Sequence, residues 1–137
     1  MHITQYPIQV YKDFEKAVGG SEPHFQKLLD DGYPEWAAFA HGLQGDKEAV
    51  MWLLKGPYPE LGVLANGMVD EPGAIVWLQN NPDPFFYIFC QATKKEPNAL
   101  QWLEEHKLYH ILIIAEAIRK AVKLRTKRET FWYKIDW

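Results

Sequence analysis

Residues 33–54 read YPEWAAFAHGLQGDKEAVMWLL, and residues 58–79, YPELGVLANGMVDEPGAIVWLQ, repeat the same order of residue types. A shift of 25 residues superposes Tyr33-Pro34 on Tyr58-Pro59 and then on Asp83-Pro84. The same shift carries Ala49-Val50 onto Ala74-Ile75 and Ala99-Leu100, and Trp52-Leu53 onto Trp77-Leu78 and Trp102-Leu103. A fixed period of this size marks a repeat architecture, in which each unit buries an apolar face on its neighbours.

Within each unit the apolar period is helical. The first segment carries Trp36, Phe39, Ala40 and Leu43, then Leu61, Leu64, Ala65 and Met68, then Phe86, Phe89, Cys90 and Thr93, then Ile111, Ile114, Ala115 and Ile118. That i, i+3, i+4, i+7 spacing is one face of a helix. Pro34, Pro59 and Pro84 start these helices, where a missing N–H costs nothing, Gly45 ends the first, and Asp46 caps the next. The second segment begins near Lys47, Pro72 and Pro97 and is expected to turn Ala49, Val50, Trp52 and Leu53 inward. Two short helices joined by a few residues must lie antiparallel. The prediction is an all-α fold, a right-handed α-α superhelix forming a short solenoid of about nine helices, built from 25-residue helix hairpins.

The whole chain, residues 1–137, reads as one domain. Residues 8–32 are expected to form N-terminal capping helices, 33–107 three repeats, 108–128 a C-terminal capping helix and 129–137 an aromatic tail. The stretch holding Pro34, Ala37-Ala38, Gly42, Val50 and Leu53-Leu54 resembles an ankyrin-type helix pair, and the tandem hairpins are similar to tetratricopeptide units. The Trp-Leu pair in every unit is also similar to that of bacterial helical-repeat proteins. The 25-residue period is shorter than that of either named family and leaves no room for ankyrin's β-hairpin. What the resemblance implies is a binding scaffold rather than a particular ligand.

Composition excludes several classes. With 137 residues, 47% hydrophobic and 15% aromatic, the chain has ample apolar surface to offset the entropy of ordering. No apolar run approaches the ~20 residues needed to cross a bilayer, and the start lacks the basic-then-apolar order of a secretion signal. With one cysteine, an internal disulfide is excluded, and the expected location is cytoplasmic. The net charge of −3 hides an asymmetry: residues 1–118 hold 8 Lys/Arg against 16 Asp/Glu, whereas residues 119–137 hold 7 against 2.

Candidate sites follow from the register. The Trp52, Trp77, Trp102 ladder is expected to pack into the core rather than to stack on bases. Cys90 falls where other units have Ala40, Ala65 and Ala115, and so reads as a small buried slot rather than a nucleophile. The Gly42, Gly67, Ala92, Ala117 column reads as a close helix approach. His106 and His110 have the spacing of paired ligands, yet the register splits them between a turn and the next helix, so no metal is expected. No phosphate loop, nucleophile elbow or cofactor motif is present, and neither an enzyme nor a cofactor is expected.

Two groups remain as candidate contact residues. His41, Asn66, Gln91 and Glu116 form a polar column on otherwise apolar first helices, read either as one continuous binding surface or as a solvated stripe. Arg119, Lys120, Lys123, Arg125, Lys127 and Arg128 crowd the last segment. They read either as a basic helix laid against an acidic body, with Phe131, Trp132, Tyr133, Ile135 and Trp137 folding back as a cap, or as a grip on phosphates of nucleic acid or an anionic membrane. The leading expectation is a non-catalytic module that binds a protein partner, with the nucleic-acid or membrane binder as its alternative.

Overall fold

The computed structural model describes the backbone of residues 2–135 and the side chains as far as Glu129. After a short 3₁₀ turn at Ile3–Gln5, the chain forms nine α-helices among the described residues. These are α1 (Ile8–Val18), α2 (Glu22–Asp30), α3 (Pro34–Leu43), α4 (Lys47–Lys55), α5 (Pro59–Gly67), α6 (Pro72–Asn80), α7 (Pro84–Ala92), α8 (Pro97–Glu105) and α9 (Tyr109–Ile135). Each packs on its sequence neighbour, and the odd-numbered helices pack on one another, α1 on α3, α3 on α5, α5 on α7 and α7 on α9. The fold is an all-α short superhelix of helix hairpins. No described helix is long and apolar enough to cross a membrane.

The two layers differ in burial because the odd helices have neighbours on several sides and the even ones do not. Helix α3 buries Trp36, Ala37, Phe39, Ala40, Gly42 and Leu43, whereas α4 buries only Val50 and Leu53. This corrects the expectation for the tryptophan ladder. Trp52 and Trp77 are 48% and 41% exposed, while Trp102 is half-buried and stacks on His106. Adjacency to Leu53 in sequence is not adjacency on a helix: with ~100° per residue, the narrow inward strip takes Val50 and Leu53 and turns the two residues between them, Met51 and Trp52, outward. The three indoles do not share one environment.

The period is also written in the turns. Gly20, Gly45, Asp70 and Lys95, one repeat apart, all have positive φ, at 108°, 112°, 66° and 62°. In this left-handed conformation the chain leaves the odd helix: the N–H of Lys95 meets the carbonyl of Ala92, and that of Glu96 the carbonyl of Gln91. The return turns come in two kinds. Gly32 and Lys107 are left-handed at 86° and 58°, but Pro57 and Pro82 occupy the equivalent places, where a positive φ is closed to proline. There the preceding residues, Gly56 and Asn81, are extended instead.

The glycine column is a close approach, as its register implies. A Cβ at Gly42 would lie 2.8 Å from Val50 Cγ2, and one at Gly67 only 2.7 Å from Leu78 Cδ1 and 3.4 Å from Cys90 Sγ. Cys90 is fully buried, and desolvation pushes its thiol up to about 11.

The array closes on itself, because α9 returns to pack on α1, with Tyr11 and His110 stacked at 5.8 Å. One boundary departs from expectation: the last helix does not end at residue 128, its backbone being continuous from Tyr109 to Ile135. A helix carries on because residues 119–129 contain neither Gly nor Pro. The expected fold-back of Phe131, Trp132, Tyr133, Ile135 and Trp137 concerns side chains outside the described residues.

Three outcomes test this packing. Gly67→Ala should cost about 1–3 kcal/mol in urea unfolding, the usual scale for overpacking. Lys107→Gly should raise stability by roughly 0.5–1 kcal/mol, since the left-handed turn strains an L side chain by more than glycine's extra chain entropy costs. Alkylation of Cys90 at pH 8 should be about a hundredfold slower in the native chain than in the urea-unfolded chain, because a buried, protonated thiol offers almost no thiolate.

Candidate functional site

Helix α9 is three times as long as α7, with 27 residues against 9, and this difference creates the site. In the repeat register its equivalent of the last α7 residue is Ala117, so 18 residues, or about 27 Å, run on past the ends of the other odd helices. The first part is held tightly: Ile111, Ile114, Ala115 and Ile118 are 0–2% exposed. Beyond it the helix passes the C-terminal turns of its neighbours. Arg125 lies against the turn at Gly45, where a Cβ would be 3.4 Å from its Nε. Four helix C-termini therefore face the basic stretch, and their partial negative charge favours lysine and arginine there, each by about 0.3–1 kcal/mol.

Among the described residues, both flanks of this projecting helix are open. On the side of α1 and α3 lies a groove of about 1110 Å³. Its α9 wall is Ile113, Ala117, Ala121 and Leu124, with Lys120 and Arg128 beside them, and its far wall is the α1 end from Val18 to Ser21 together with His41, Gln44 and Asp46. Ile113 and Leu124 are 49% and 59% exposed, unusual for aliphatic side chains on a helix that is otherwise well packed. On the side of α5 and α7 a second groove of about 710 Å³ gathers Lys94 and Lys95 with Arg119, Lys123 and Lys127, over Met68 and Val122.

The basic residues named from sequence are thus not one patch. Lys120 and Arg128 face the first groove, and Arg119, Lys123 and Lys127 the second. Arg125 borders a smaller cleft of about 330 Å³ beside α4 and donates from Nε to Glu129 at 3.0 Å. Arg119 donates to both oxygens of Glu116, which holds that carboxyl below the ordinary range, with Lys95 and Lys120 adding to the effect. In the second groove Lys94 pairs with Asp70.

The polar column does not open onto one cavity. His41 and Glu116 border the first groove, Asn66 borders the cleft with Arg125, and Gln91 borders none of the described cavities. The reason is position along the helix. The backbone carbonyls of His41, Asn66 and Gln91 each accept from the N–H groups three and five residues later, so the column marks the last turn of α3, α5 and α7, and α9 runs between those ends. His41 is further held by stacking on Phe25, with centroids 3.7 Å apart, and its Nδ1 lies 4.0 Å from Asp46.

His106 and His110 have different partners, Trp102 and Tyr11, and no cluster of three or more His, Cys, Asp or Glu side chains among the described residues is arranged to hold a metal ion. The interior polar groups serve the scaffold. Glu35, buried at the start of α3, accepts from the Tyr6 hydroxyl at 2.7 Å, and burial together with that carboxylate pushes the phenol far up. Asp13, also buried, accepts from Gln9 and Lys27, each at 2.9 Å.

Ile113, Leu124, Lys94 and Lys95 were not singled out by sequence reasoning. A signal for the first two existed: Ile113, Ala117, Ala121 and Leu124 continue one helical stripe past the point where the 25-residue pattern stops. Comparison with known proteins yields no match to a family model, a curated protein or a solved structure.

Proposed function

We propose that the protein is a non-catalytic protein-interaction module that uses the projecting half of α9 and its open flank beside α1 and α3. The observation that carries this reading is the groove of about 1110 Å³ with Ile113 and Leu124 exposed along its wall. An apolar strip of this kind, rimmed by charge on a rigid helix, is the usual form of a protein contact site. Kinship with helical-repeat scaffolds and a cytoplasmic setting belong to the same proposal, supported by the repeat register and by a lone, buried cysteine.

A second reading, peripheral binding of nucleic acid or an anionic membrane, is favoured by the other flank, where Lys95, Lys123 and Lys127 converge with Lys94 and Arg119. Such binding is governed by phosphate contacts and falls steeply with salt. Its mark would be retention on anionic vesicles or duplex DNA that fades as salt rises and is lost in a Lys123→Glu/Lys127→Glu variant.

For the leading reading, the tagged chain should capture the same protein from its native lysate at low and moderate salt. Leu124→Asp should abolish that capture, at a cost of about 2 kcal/mol or more if Leu124 anchors the contact. The melting temperature should stay nearly unchanged because the side chain is largely exposed. Trp52→Arg, on the opposite outer layer, should leave capture intact. Capture that survives Leu124→Asp would remove the groove from the reading.

A further inference from the structure

Resting on that interaction reading, we infer that the groove beside α1 and α3 receives an acidic amphipathic helix of a partner protein, seated along α9 with its acidic edge toward the lysines and arginines. Three observations fix the chemistry of the occupant. First, Ile113, Ala117, Ala121 and Leu124 lie at spacings of four, four and three residues, a straight apolar strip of about 16 Å on one helix face. A strip of that shape is covered by another helix presenting apolar residues at the matching i, i+3/i+4, i+7 positions.

Second, the charge beside the strip is ordered. Of the six Lys/Arg in residues 119–129, Lys120 and Arg128 stand beside the strip, and the one acid of that stretch, Glu129, already accepts from Arg125. Glu116, the other acid nearby on α9, is taken up by Arg119. On the α1 and α3 side Asp46 is engaged in capping α4, and Glu15 stands with Lys16 in the same wall. An occupant lying between the walls therefore meets Lys120 and Arg128 along one edge, and carboxylates on that edge complete the pairing.

Third, the same charges exclude the other occupants. A second copy could cover the strip with its own α9 only by bringing its Lys120 and Arg128 beside the same pair here, a like-charge juxtaposition that disfavours the pairing. A nucleic acid would satisfy the cations but leave Ile113 and Leu124 in water, since a phosphate backbone offers them no apolar surface. An acidic amphipathic helix satisfies both the strip and its rim.

The experiment is an unbiased selection from a displayed library of random peptides of about 16 residues, a helix of roughly 24 Å, on the full chain at moderate salt. The expected outcome is enrichment of net acidic peptides with apolar residues at helical spacing. Their affinity should fall by about tenfold or more for Leu124→Asp and for Lys120→Glu/Arg128→Glu, and should decline with salt. Enriched peptides that are neutral or basic, or that bind the Leu124→Asp chain equally well, would overturn the inference. So would an oligonucleotide of about 20 nucleotides that binds more tightly than the best peptide and is lost from Lys120→Glu/Arg128→Glu. Lysate capture that depends on Leu124, combined with selected peptides that are not acidic, would sink this inference while leaving the interaction module standing. Failure of both capture and selection would remove both.

Discussion

Burial of one face of α9 holds the two ends of the molecule together. Ile111, Ile114, Ala115 and Ile118 are almost fully enclosed, and the helix that carries them touches α1, α3, α7 and α8. Burying an aliphatic side chain of this size contributes about 1.5–3 kcal/mol, so this one face supplies a substantial part of the few kcal/mol by which a domain is stable. It also closes the array, because α9 packs along α1, where Tyr11 stacks on His110. A short row of hairpins has two open ends. Here each end covers the other.

The same packing explains why the hairpins can be so short. A nine-residue helix has little stability alone, and each one here depends on its neighbours and on local caps. Asp46 accepts from the N–H groups of Glu48 and Ala49, and Glu71 does the same for Gly73 and Ala74. Gly42 and Gly67 let the outer helix approach until any side chain would collide. Capping, left-handed turns and small residues recur at one spacing because each unit solves the same geometric problem.

Closure has an electrostatic consequence. Since α1, α3, α5 and α7 run in the same direction, their C-terminal turns gather at one end of the molecule, and α9 emerges through that end. Cations on α9 are stabilised there by the converging carbonyl ends. Because a helix displays side chains all round, the same bases also leave charge exposed on two flanks, which the proposed interaction would use.

The 25-residue register, read with helical periodicity, was enough to establish from sequence that the protein is a row of helix hairpins, that Cys90 is a core slot and that Gly42 and Gly67 sit at close approaches. These properties are local or repeat from unit to unit, so similarity along the chain reveals them. Burial of Trp52 and Trp77 was not legible, because it depends on how wide a strip of the outer helix its neighbours cover, and that width is set by packing between units. The polar column looked continuous in sequence, yet His41, Asn66 and Gln91 mark helix ends that α9 separates. Only the tertiary structure decided that the last helix returns to the first, and with it which of the six bases face which groove. That choice rests on long-range contact between residues about 100 apart in sequence, such as Tyr11 and His110, for which a repeat pattern carries no information.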